Sequence, residues 1–167
     1  MRDQETTTCP GCGVELPQRA GATHAYFNSS AECWAVFGKV SGRILQDVAV
    51  AGRAHQLLVD AYAAQHPGGE HPDKSIVIHL VGLHLMLERG VPPVEVPPLY
   101  HRIASREGPW PHLPPPQDLG SLTIVDVARA ETPEALAEAI LSWAQSVWTA
   151  WSDHHAGVAR LPERWLS

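Results

Sequence analysis

The residues best equipped for chemistry come early. Cys9-Pro10-Gly11-Cys12-Gly13, His24 and Cys33-Trp34 hold all three cysteines of the chain. Three thiols cannot pair among themselves without leaving one over. Met1 to Thr8 is polar and lacks the apolar run of a secretory leader, so the expected compartment is the cytoplasm, where thiols stay reduced. Zn2+ gives all three a common use, because it takes four ligands in a tetrahedron and favours thiolate and imidazole. A Cys-x-x-Cys turn aims two sulfurs at one point, and Gly11 and Gly13 let the backbone wrap tightly around the ion. Cys33 is the third expected ligand. His24, inside the loop that Cys12 and Cys33 close, is the expected fourth, since a ligand there adds little loop-closure entropy. His55 is its rival and a water the third option. A redox role for Cys9 and Cys12 finds no βαβ pattern around it, whereas Cys33 beside Trp34 and Phe37 also suits a plain core position.

A second set of candidates is histidine. The ten His are many for this length. His66, His79 and His154 or His155 lie on or at the end of separate predicted helices, with Asp60 or Glu88 within reach. Three imidazoles from different helices are what a catalytic zinc or iron needs, with one position open for water. Each also reads as a hydrogen-bonded core histidine, and His155 as a cap on exposed carbonyls near a helix end.

Helices must position these groups. Ser29 or Ser30 caps a first helix carrying Cys33, Trp34 and Phe37, ending near Gly38 or Gly42. A second is expected from about Arg43 to Gln65, with Ile44, Val48, Ala51, His55, Leu58, Tyr62 and Gln65 on one stripe. His66-Pro67-Gly68-Gly69 stops it. His55 and His66 stand about 16 Å apart along that helix and cannot share an ion. A third, from Asp73 or Ser75 to Arg89, has no charged residue between Ser75 and Leu87 and is apolar all round, which predicts burial in a bundle. It is too short to cross a bilayer. Gly82 there invites close approach by a neighbouring helix.

Nine of the fifteen prolines fall between Val91 and Asp118, so 91–118 is expected to be a strap with at most a short helix at Leu99 to Ser105, pinned by Trp110 and Leu113. Leu122 to Ala130 reads as a strand or, with Thr123 as cap, a short helix. Thr132, Pro133 and Glu134 open a last long helix expected to reach about Ala159 along Leu136, Ile140, Trp143, Val147, Trp151, His154 and Val158, with Pro162 and Trp165 in a packed tail.

The elements add up to one mainly α domain over 1–167: a compact bundle of about four longer helices, with an N-terminal zinc knuckle at 9–33, first helices at 34–90, the proline-rich strap at 91–118 and C-terminal helices at 122–167. An apolar content of 44% with 18% charged residues places the chain among globular proteins. A net charge of −6 with no basic stripe argues against nucleic acid as partner. G-x-S-x-G, G-x-G-x-x-G and the P-loop pattern do not occur.

CPGCG, His24 and Cys33-Trp34, HQLLVDAYAAQHP at 55–67, IVIHLVGLHLMLERG at 76–90 and SVWTAWSDHH at 146–155 together resemble a family of uncharacterised bacterial proteins, a domain of unknown function. The resemblance covers nearly the whole chain. It implies that the Cys/His site and His66, His79 and His154-His155 are family features, and it implies no activity. A looser fold-level likeness is to DinB-type helical bundles, whose metal sits between helices on three His, although the last helix here has no H-x3-H.

Two functions are therefore expected in competition. In the first, the protein is a cytoplasmic zinc-binding module whose site is structural and whose helical platform meets a protein or small-molecule partner. In the second, it is a metal-dependent enzyme with a histidine-lined pocket between helices.

Overall fold

The computed structural model describes residues 5–167. A two-stranded antiparallel hairpin, β1 (Thr6–Thr8) with β2 (Glu15–Pro17), pairs Thr6 with Pro17 and Thr8 with Glu15. All the rest of the regular structure is helical: α1 (Ala31–Ile44), α2 (Val48–Gln65), α3 (Asp73–Leu87), α4 (Val96–Ala104), α5 (Ile124–Ala128), α6 (Pro133–Ala150) and α7 (His155–Trp165), with short 3-10 turns before α4 and α7. The protein is mainly α, and no described helix is long and apolar enough to cross a membrane.

Local chemistry explains most of the boundaries. The Ser30 hydroxyl caps α1 by accepting from the Cys33 amide at 3.2 Å. Asp47 breaks the expected run from Arg43, because its carboxylate accepts from the amides of Ala49 and Val50 and starts α2 five residues late. The second half of the expected stripe holds, with Leu58, Tyr62 and Gln65 buried, and the first half does not. Val48 is 88% exposed, while Val50, Ala54, Leu57, Leu58 and Ala61 face the core. Thr123 and Asp126 form a reciprocal capping box on α5, which settles that segment as helix. Thr132 caps α6 with Pro133 at its first position, as the sequence indicates.

The last helix differs from expectation. It stops at Ala150, and the chain passes through Ser152–His154 into a separate α7. His155 tucks back, with its Nε2 2.7 Å from the Trp148 carbonyl oxygen and its ring stacked on the Trp148 indole at 3.8 Å. The same carbonyl also accepts from the Trp151 amide at 3.0 Å, so the helix end is bonded twice at one oxygen. Pro162 lies inside α7, so the expected tail is itself helical.

α2 and α3 form the buried centre. Leu58, Ala61, Tyr62, Ala63 and Ala64 of α2, and Val77, Leu80, Val81 and Leu83 of α3, have no solvent exposure. α1 returns antiparallel onto α2, with Phe37 against Tyr62 and Cys33 against His66. α6 closes the other side through buried polar ties. The Trp143 indole donates to Gln65 Oε1 at 3.0 Å, Gln65 Nε2 donates to the carbonyls of Leu119 and Leu122, and the Trp151 indole donates to the Ala64 carbonyl. The contact of His154 Nε2 with the Pro114 carbonyl and the Trp110–Trp165 ring pair hold the proline-rich strap against the helices.

Candidate metal centre

The site begins with the turn after β1. The Cys9 amide donates to the Val14 carbonyl at 2.8 Å and the Gly13 amide to the Cys9 carbonyl at 2.9 Å, closing the knuckle with Gly13 at φ +75°. The turn presents the sulfurs of Cys9 and Cys12 toward the first turn of α1, where Cys33 lies. Sγ of Cys12 and Sγ of Cys33 are 3.9 Å apart.

The fourth group is His66, the residue just past the end of α2. Its Nε2 lies 3.4 Å from Cys33 Sγ. The ligand atoms of Cys9, Cys12, Cys33 and His66 all fall within 4.8 Å of one another. Cys9, Cys33 and His66 are essentially without solvent exposure, and Cys12 is half-buried. Such a group can hold a metal ion.

The surroundings fit that use. His66 Nδ1 is 2.6 Å from the Tyr62 carbonyl oxygen one turn back. A carbonyl only accepts, so the proton resides on Nδ1 and the Nε2 lone pair faces the sulfurs. The Tyr62 hydroxyl donates to Cys33 Sγ at 3.4 Å. Gly11 makes the close approach possible, since a Cβ there would lie 2.5 Å from the Asn28 carbonyl oxygen and 2.7 Å from His66 Cδ2. The Asn28 amide in turn donates to the His66 carbonyl, and its side chain to the Pro67 carbonyl.

The thiols compete for protons. Hydrogen bonds from Cys12 and then Cys33 push the Cys9 thiol far below its usual range, outweighing burial. Cys33 is pushed far up by hydrogen bonding with Cys12, then with Cys9, and by burial. For Cys12 the hydrogen bond with Cys33 lowers the pKa, but Cys9 and burial together outweigh it and push the thiol up to about 12. A metal bound here would displace the thiol protons, so its affinity rises with pH.

His24 is not in the group. Its Nδ1 accepts from the amides of Tyr26 and Phe27, and its ring stacks on Phe27 at 3.7 Å. Burial, and then the nearby His79, hold its pKa below the ordinary value. The expected fourth ligand is thus a turn-former, because its ring nitrogen is taken by its own loop. His55, the rival, lines a groove with Gln56, Pro93 and Val94.

The histidine candidates do not converge. His66 goes to the cysteines. His154 and His155 each bind a backbone carbonyl. Glu88 accepts from the Trp148 indole. His79 and Asp60 do meet, with Nδ1 2.7 Å from Oδ1.

A family model described as a family of unknown function, DUF5946, matches residues 7–152. The chain belongs to that family. The DUF5946 match contains Cys9, Cys12, Cys33, His66 and the Asp60–His79 pair, and it ends at the α6–α7 junction, so α7 lies beyond it. No curated protein and no solved structure matches the chain.

Proposed function

We propose that this member of DUF5946 is a zinc-binding protein whose metal holds the fold together, and whose helical body is a binding or interaction module. The observation that carries the reading is the four-ligand Cys9, Cys12, Cys33 and His66 group. Zinc places sulfur at about 2.3 Å and imidazole nitrogen at about 2.0 Å, so the edges of its tetrahedron are about 3.8 Å between sulfurs and about 3.5 Å from sulfur to nitrogen. The Cys12–Cys33 separation of 3.9 Å and the Cys33–His66 separation of 3.4 Å agree with those edges. Four protein ligands complete the tetrahedron, and a closed thiolate-rich site is the structural kind, whereas catalytic zinc keeps a position open for water. A reducing compartment, the cytoplasm, suits three free thiols. The module role draws support from Leu45 and Val48 at the α1–α2 corner and from Val94, all well exposed for apolar residues.

Elemental analysis of the purified chain tests the reading. One zinc per chain is expected in the wild type and in His24→Ala, and a large loss in Cys33→Ser and His66→Ala. Full zinc in His66→Ala, or none in the wild type, would sink it.

A further inference from the structure

A second polar cluster lies apart from the cysteines, where α2, α3 and α4 meet. Asp60 of α2 has no solvent exposure. Its Oδ1 accepts from Gln56 Nε2 at 2.9 Å and contacts His79 Nδ1 at 2.7 Å, and its Oδ2 accepts from the Tyr100 hydroxyl. Gly82 of α3 makes the room, since a Cβ there would collide with the Tyr100 hydroxyl and the Asp60 carboxylate. Burial pushes the Asp60 carboxyl up, against the opposing pull of its hydrogen bonds with His79, Tyr100 and Gln56, and the pairing proposed below has the shared proton on His79 Nδ1. That fixes the tautomer and leaves a lone pair on Nε2.

Nε2 has no hydrogen-bond partner among the described residues, and the His79 side chain retains 14% exposure. The exposed edge lines a cavity of about 250 Å³ whose other walls are Tyr26, Pro72, Lys74, Ser75 and Ile78. Two of these walls are already committed. The Ser75 hydroxyl pairs with His71 at 2.8 Å, and Lys74 Nζ donates to the Ala104 carbonyl at 2.7 Å. What the cavity offers a visitor is a small, largely apolar hollow with one basic nitrogen in its wall.

We infer that the Asp60–His79 pair is a proton-accepting site, in which His79 Nε2 takes a proton from the weakly acidic hydroxyl of a small, mainly apolar or aromatic molecule seated in this cavity. The O–H bond breaks, the N–H bond forms on Nε2, the electron pair stays on the ligand oxygen, and the imidazolium is held against the Asp60 carboxylate. Asp60, Tyr100 and Gln56 are positioning residues, and of the four only His79 reaches the ligand. The other titratable groups facing His79 are Asp60 and Tyr100 behind it, His24 and His71 in the loops beside it, and Tyr26 and Lys74 in the cavity wall. The site is separate from the Cys/His group, and its test does not depend on the identity of that metal.

The probe is p-nitrophenol, whose phenolate absorbs in the visible. It is added to the full-length, metal-loaded protein at a pH about one unit below the phenol's own pKa, where the free probe is mostly protonated. The expected result is a saturable rise in phenolate, at one probe per chain, to at least about threefold its fraction in buffer. His79→Gln should abolish the rise. Should that variant not fold, Ile78→Trp fills the cavity without touching the pair and should abolish it too. Nitrogen NMR of the wild type should place the neutral His79 proton on Nδ1. No saturable rise, an undiminished rise in either folded variant, or a proton resident on Nε2 overturns the proposal.

Discussion

At the scale of single residues, metal and packing make different demands on similar side chains. His24 and His66 are both imidazoles near the cysteines, yet only His66 has a carbonyl behind it that leaves Nε2 free for the thiols. Gly11 is the tightest point of the knuckle. Gly11→Ala should cost about 1 to 3 kcal/mol of stability and weaken metal retention, read by thermal melting and by competition with a chelator, because the added methyl meets backbone of Asn28 and His66. His84 makes a different prediction. It is buried against Trp148, with Nε2 unbonded, and burial, followed by the nearby Arg89, holds its pKa below the usual 6.5. The folded state therefore resists the proton that the unfolded chain accepts. Stability from this group is fully present above about pH 6.5 and is lost as pH falls toward the lower folded value. His84→Leu should flatten the acid side of the stability profile and add about 1 kcal/mol near neutrality, measured by urea midpoints against the wild type across that range.

Secondary elements were legible where their ends carry a local signal. Ser30, Thr123 and Thr132 each cap a helix in the structure as their side chains indicate in the sequence. Asp47 carries the same kind of signal but sits within a continuous apolar periodicity, which hides the α1–α2 corner. The break after Ala150 has no proline or glycine to announce it. It is made by His155 folding onto Trp148, a contact seven residues apart that helical spacing does not suggest. The α2–α6 seam rests on another contact invisible in either helix alone. Gln65→Leu would leave the Trp143 indole and the carbonyls of Leu119 and Leu122 without their buried partner. It should cost about 2 to 4 kcal/mol, visible as a lower denaturant midpoint with metal content unchanged.

For the whole molecule, a metal held by the β1–β2 knuckle, the start of α1 and the end of α2 ties three separate stretches of chain at one point. Stripping it with a chelator should lower the melting temperature, and adding zinc back should restore it in a concentration-dependent way. Hydrogen exchange should quicken first in residues 9–33 and around His66, with the α2–α6 seam protected longest. The sequence by itself determined the mainly helical class, most of the caps, the buried character of α3 and the gathering of three cysteines as one donor set. Those follow from periodicity, from caps and a Cys-x-x-Cys spacing that the local backbone enforces, and from the chemistry that gives three cysteines a common use in one metal. Only the tertiary structure decided the fourth ligand. His66 stands thirty-three residues beyond Cys33 and reaches it because α2 runs back along α1, bringing the end of one helix to the start of the other. The same holds for Asp60 and His79, which meet across the α2–α3 turn, and for Tyr100, which arrives from α4 through the space at Gly82. Helix-to-helix proximity depends on where each corner falls and on which face packs, and no spacing within a single element encodes either.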